Sequence, residues 1–149
     1  MIITKEIEID MAHRVPNHKS KCRNLHGHRY KIEVGVDDKI IDKKWDSSEW
    51  MVIDFSDLKE IIIREIDNRF DHWAVFYKED KILPALNLIL QIQDQDQSKI
   101  HFVDFIPTAE NLAKYWFWLL EYPLLKEKWI KLSFVKVFET PTSTALYSK

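Results

Sequence analysis

Glycine and cysteine are almost missing from this chain. Two glycines in 149 residues exclude the glycine-rich loops that cradle phosphates with bare backbone. A single cysteine, Cys22, excludes an internal disulfide framework and points to a reducing compartment. Net charge is scarce too. At −2 it exerts no general pull toward nucleic acid or an anionic membrane, so an anionic ligand has to be met by a local basic patch. Long apolar runs are also lacking. The most apolar window, "ILPALNLILQI", contains Pro84 and is too short to span a bilayer. The start, "MIITKEIEID", has no cationic segment followed by an apolar one, so it does not read as a secretory signal. A cytoplasmic location is expected. What is present, 46% hydrophobic and 31% charged residues, is the balance of an ordinary soluble globule of one domain, 1–149, with a core of useful size.

Periodicity outlines the elements. Ile3, Ile7, Ile9, Met11 and His13 alternate with Thr4, Glu6, Glu8 and Asp10, which predicts a half-buried strand. After the polar loop "VPNHKSKCRN", a second alternation puts His26, His28, Tyr30, Ile32, Val34 and Val36 on one face. The period then changes. Phe55, Leu58, Ile61, Ile62, Glu65, Ile66 and Arg69 follow helical spacing, with Asp54 or Ser56 as N-cap. Residues 80–100 read as a polar, Gln/Asp-rich connection around a short apolar piece. A second helix opens with Thr108 as N-cap and is expected to stop before Pro123. "IKLSFVKVFET" and "STALYS" read as two closing strands. Strands grouped at both ends, in the order ββ–αα–ββ, predict an α+β class.

Histidines at i and i+2 of a strand point to one side, with Cα atoms ~6.5 Å apart. Two imidazoles can therefore meet on one ion at ~2 Å from nitrogen to zinc, and His13 supplies a third if the two strands pair antiparallel. Three histidines and an open position make a catalytic zinc pattern. Plainer readings stand beside it. An isolated His-x-His is usually a pair of surface histidines, and Cys22 as a fourth ligand would make a closed structural site. Cys22 lies between Lys21 and Arg23, whose charges favour a thiolate. Asp71–His72 reads either as a solvated helix end or as a carboxylate orienting a proton-shuttling imidazole.

Six segments, in order, carry a more specific likeness: "AHRV" at 12–15, "KCRNLHGH" at 21–28, "MVIDFSDLK" at 51–59, "FDHWAVF" at 70–76, "PTAENLA" at 107–113 and "FETPTSTALY" at 138–147. Together they resemble the 6-pyruvoyltetrahydropterin synthase / 6-carboxytetrahydropterin synthase family. The resemblance implies the T-fold (tunnelling fold), a four-stranded antiparallel sheet with two helices on one face. It implies trimers, or dimers of trimers, with active sites between subunits. It makes His13, His26 and His28 the Zn2+ ligands and Cys22 the general base or acid, with Asp71 and His72 as relay partners. It makes Glu139 the anchor of the pterin ring, helped by Thr108. The chain departs from the usual pattern in "DMAHR", in Trp50 where glycine is common, and in an insertion around 80–104.

The family substrate is 7,8-dihydroneopterin triphosphate. The gap of three residues, Arg23, Asn24 and Leu25, between cysteine and His-Gly-His resembles the queuosine-pathway member. That member is a lyase releasing 6-carboxy-5,6,7,8-tetrahydropterin, acetaldehyde and triphosphate. The sibling 6-pyruvoyltetrahydropterin synthase eliminates triphosphate without carbon–carbon cleavage. A third reading is a non-catalytic, zinc-stabilised pterin-binding module. No nucleic-acid or membrane partner is expected, because the aromatics fall on strand faces and helical stripes where core packing accounts for them.

Overall fold

The structure, a computed structural model, describes residues 1–92 and 99–149. Strands β1 (Ile2–His13) and β2 (His26–Asp37) form a long antiparallel hairpin in register from Ile2↔Asp37 to His13↔His26. Strand β5 (Lys131–Thr140) pairs with β2, and β6 (Ser143–Ser148) with β5, both antiparallel. The alternation read from the sequence holds along this hairpin. Ile9, Met11, Tyr30, Ile32, Val34 and Val36 are buried, together with Val135 and Val137 of β5.

Against that face pack α1 (Phe55–Ile62) and α4 (Ala109–Lys128), in one continuous core with the strands. Asp54 caps α1, its side chain accepting from Ser56 N at 2.7 Å. The helix runs on through a π turn (Ile63–Asp67) into a last short turn, α2 (Asn68–Phe70). Leu58, Ile62, Ile66 and Phe70 are all fully buried. A four-residue spacing drifts around an α-helix of 3.6 residues per turn, and the wider π turn takes up that drift. Phe55, expected on the stripe, is 52% exposed.

Three expectations are corrected. The sheet has six strands, in the order β4-β3-β1-β2-β5-β6, rather than four. It is also mixed: β3 (Ala74–Tyr77) runs parallel to β1, and β4 (Ile100–Val103) parallel to β3. Each added strand has only four residues, too few to show an alternating period. The short apolar piece forms a helix, α3 (Leu83–Ile92), while the Gln/Asp-rich stretch 93–98 lies outside the described residues. Lastly, α4 does not end before Pro123 but continues to Lys128. Pro123 removes one helical hydrogen bond, yet Pro123 and Leu124 are both buried, and that packing carries the helix past the gap.

Candidate metal centre and active site

The hairpin register sets His13 directly across from His26 and Met11 across from His28. All three histidines therefore emerge on the helix-facing side at the loop end of the β1–β2 hairpin. Their ring centroids lie 4.5, 5.2 and 4.9 Å apart, and their ligating nitrogens all fall within 4.8 Å of one another.

The remaining ring atoms say how the cluster is oriented. His13 Nδ1 is 2.7 Å from Pro107 O, and His26 Nδ1 is 2.8 Å from Asn24 O. A carbonyl only accepts, so each Nδ1 carries a proton and Nε2 is the nitrogen left to accept a hydrogen bond or to ligate. Such backbone bonds lock the tautomer and the ring plane of a metal-binding histidine. His28 Nε2 is buried with no protein partner, a costly arrangement unless something else coordinates it. The donor set thus fits a divalent ion that favours imidazole.

Electrostatics agree. Burial holds His13 and His28 below the usual imidazole range, outweighing the opposing pull of the Pro107 carbonyl on His13 and of Glu139 on both. Two imidazolium charges ~5 Å apart at an effective dielectric near 20 would repel by ~3 kcal/mol. For His13 and His28 the neutral ring that a metal requires is therefore the state the fold favours.

Glu139, at the end of β5, faces the same cluster. Its Oε1 lies 3.6 Å from His13 Nε2, 4.0 Å from His28 Nε2 and 3.5 Å from the Tyr30 hydroxyl. The β2–β5 ladder stops at Lys31↔Phe138. Beyond that point the strands part around a cavity of about 640 Å³ lined by Gly27, His28, Lys31, Phe138 and Glu139. Tyr30, which the sequence presented only as a core residue, also reaches His13 Nε2 at 3.1 Å. Burial, then the Glu139 carboxylate, pushes its phenol well above the ordinary range, so it stays a neutral donor.

Cys22 sits half-buried in the 3-10 turn Lys21–Arg23 just before β2. Among the described residues the group of potential ligands comprises the three histidines, without Cys22. Asp71 and His72 stand elsewhere. The start of β3 lies along β1, with His72 N donating to Asp10 O and Asp10 N to Asp71 Oδ1, and Asp10 belongs to the face opposite His13. Asp71 Oδ2 pairs with His72 Nδ1 at 2.7 Å, leaving Nε2 of a largely exposed ring unengaged in that pair. Partial burial works against the Asp71 carboxylate, but the Asp10 N–H and the His72 imidazole hold its carboxyl below the usual range. His72 borders a second cavity, of about 580 Å³, with Trp73, Leu86, Lys99 and His28. No hydrogen bond joins Cys22 to either residue within the described chain. Thr108 caps α4, its Oγ1 accepting from Asn111 N at 3.4 Å, and the preceding Pro107 carbonyl is the one that orients His13.

A family model described as 6-pyruvoyl tetrahydropterin synthase matches residues 2–149. The chain belongs to the 6-pyruvoyl tetrahydropterin synthase family. Similar relatives include "6-carboxy-5,6,7,8-tetrahydropterin synthase" of Haemophilus influenzae, 35% identical over 99% of this chain and 98% of that protein. The protein of the same name from Rickettsia conorii is 33% identical over 93% of each chain. Among solved structures, an uncharacterized protein from Wolinella succinogenes superposes with a TM-score of 0.82 at 24% identity, covering 100% of this chain and 98% of that one. The 6-pyruvoyl tetrahydropterin synthase of Caenorhabditis elegans gives 0.66 at 23% identity, covering 100% and 95%. The fold is that of the family, with β3 and β4 added to the four antiparallel strands anticipated from the sequence. No helix among the described residues is long and apolar enough to cross a membrane.

Proposed function

We propose that this protein is a zinc-dependent lyase. It converts 7,8-dihydroneopterin triphosphate to 6-carboxy-5,6,7,8-tetrahydropterin, acetaldehyde and triphosphate, within queuosine (7-deazapurine) biosynthesis in the cytoplasm. The observation that carries this reading is the convergence of one ring nitrogen from each of three histidines, with the only thiol standing outside their group. That arrangement suits an open catalytic site better than a closed structural one. The short spacing from Cys22 to His26 and the names of the curated relatives support the lyase over its sibling.

In this reading His13, His26 and His28 hold Zn2+ through Nε2. When bound, the ion supplies Lewis acidity to the oxygens of the substrate side chain. Cys22 Sγ takes a proton from the adjacent carbon, and His72 Nε2, oriented by Asp71 through Nδ1, moves a second one. Glu139 accepts two N–H bonds from the aminopyrimidinone edge of the pterin, a bidentate fit, with the Thr108 corner beside it. In this reading the complete relay combines two copies of the chain, since no hydrogen bond joins Cys22 to Asp71 or His72 among the described residues. Trimers or dimers of trimers, with sites between subunits, fit that need. We place the whole of 1–149 in one catalytic domain, with 80–104 as an insertion.

The test is a product assay. Zinc-loaded protein and dihydroneopterin triphosphate are expected to yield 6-carboxytetrahydropterin and acetaldehyde by mass spectrometry. A 6-pyruvoyl product would replace the lyase with the sibling activity. Neither product would leave the non-catalytic module, in which Cys22 closes a structural zinc and Cys22→Ala would lose the metal.

A further inference from the structure

The turn that carries Cys22 is fastened from a direction the proton chemistry does not require. Arg14 follows His13 at the end of β1. Its Nε donates to Arg23 O at 2.6 Å, and the next residue, Val15, donates its N–H to Cys22 O at 3.0 Å. The loop is thus closed just behind the thiol. At its other end the same guanidinium pairs through Nη1 with Asp80 Oδ1. Asp80 is 4% exposed, one of two buried polar or charged residues identified among those described. It stands at the entrance to α3, with Oδ1 accepting Ile82 N at 3.1 Å and its carbonyl accepting Leu83 N at 3.1 Å.

A buried carboxylate is tolerated only when a cation and hydrogen bonds compensate its lost hydration. Arg14 is the cation here, with a side chain only 18% exposed. A guanidinium is rigid and planar, so fixing one edge on Asp80 fixes the direction in which Nε meets the cysteine turn. A lysine would supply the charge without that coupling.

We propose that Arg14 and Asp80 form an internal strut through which the entrance to α3 sets the position of Cys22. Both are positioning residues and touch no substrate. The proposal deepens the reading of Cys22 as the proton-transfer group, but its test does not depend on that reading. Cys22 is the chain's only thiol, so alkylation by iodoacetamide reports this turn alone. The rate is measured at fixed pH on the zinc-loaded full chain for wild type, Asp80→Leu, Arg14→Met and the double variant Arg14→Met/Asp80→Leu.

The strut predicts alkylation about fivefold faster or more in each variant at unchanged zinc content, because the turn opens more readily. The double variant should match the singles, since partners in one contact do not add. On substrate, kcat should fall about tenfold or more while KM stays nearly constant, the sign of a misplaced reacting group. If a single variant fails to fold, the double variant, which leaves no unpaired buried charge, decides alone. Alkylation and kcat equal to wild type in the double variant overturn the strut, even if its melting temperature drops, as do single effects that simply add. A changed alkylation rate in a protein that makes no pterin product sinks the lyase and leaves the strut standing. Product formation with an unmoved rate does the reverse.

Discussion

At the scale of single residues, a chain with two glycines still has left-handed positions to fill. It fills several with tryptophan. Trp45, Trp50 and Trp129 have φ of 67°, 66° and 58°, and their side chains lie mostly in solvent at 96%, 69% and 82% exposure. Trp50 shows why glycine suits that place in the family motif. A left-handed conformation costs an L-residue ~1–2 kcal/mol. At the end of α4, Trp129→Gly removes that cost and gives back part of it by loosening the unfolded chain. The expected outcome is a net gain of about 0.5–1 kcal/mol, read as a higher urea midpoint at constant m. The histidines and the thiol are separated by a second comparison. His28→Ala is expected to weaken zinc binding at least ~100-fold, whereas Cys22→Ala keeps zinc and loses turnover by about 10²–10⁴. Metal content by plasma mass spectrometry, set beside kcat, checks both.

At the scale of elements, the join between the first helical run and the two added strands rests on stacked rings. His101 of β4 lies between Phe70 and Trp73, with centroids at 4.6 and 4.7 Å, and its Nε2 donates to Arg69 O. Burial, despite that carbonyl, lowers its pKa below 6.5. The fold therefore prefers the neutral ring. The contribution is fully present above 6.5, the unfolded value, and is lost as pH falls through the lowered folded value. His101→Gln should flatten part of the acid limb when urea midpoints are followed from neutral to mildly acidic pH. An unchanged limb would assign the acid loss to other groups.

At the scale of the whole molecule, Asp71 and His72 are held by the backbone of Asp10, and among the described residues no hydrogen bond joins them to Cys22. Mixing denatured Cys22→Ala and His72→Ala subunits in equal amounts and refolding them should restore activity. Random assembly gives about a quarter of the interfaces both native groups. Each variant refolded alone should remain at its own low rate. Recovery of no activity in the mixture would put the complete relay inside a single chain.

Strand geometry makes most of the cluster legible in the sequence. A period of two is a local rule, so His26 and His28 had to share a face and His13 had to continue the apolar face of its own strand, while the caps, Thr108 and one of Asp54 or Ser56, followed from equally local hydrogen bonding. The ordered motifs pointed to the family for the same reason. What the linear order could not carry was the choice of partners far apart in the chain. Four-residue strands have no period to read, so β3 and β4 emerged only from pairing with β1. Pro107 reaching His13, Tyr30 reaching Glu139 and Asp80 reaching Arg14 are contacts between residues 94, 109 and 66 positions apart. Burial creates them by stripping water from groups that must then find one another, and no local pattern announces which pairs will meet.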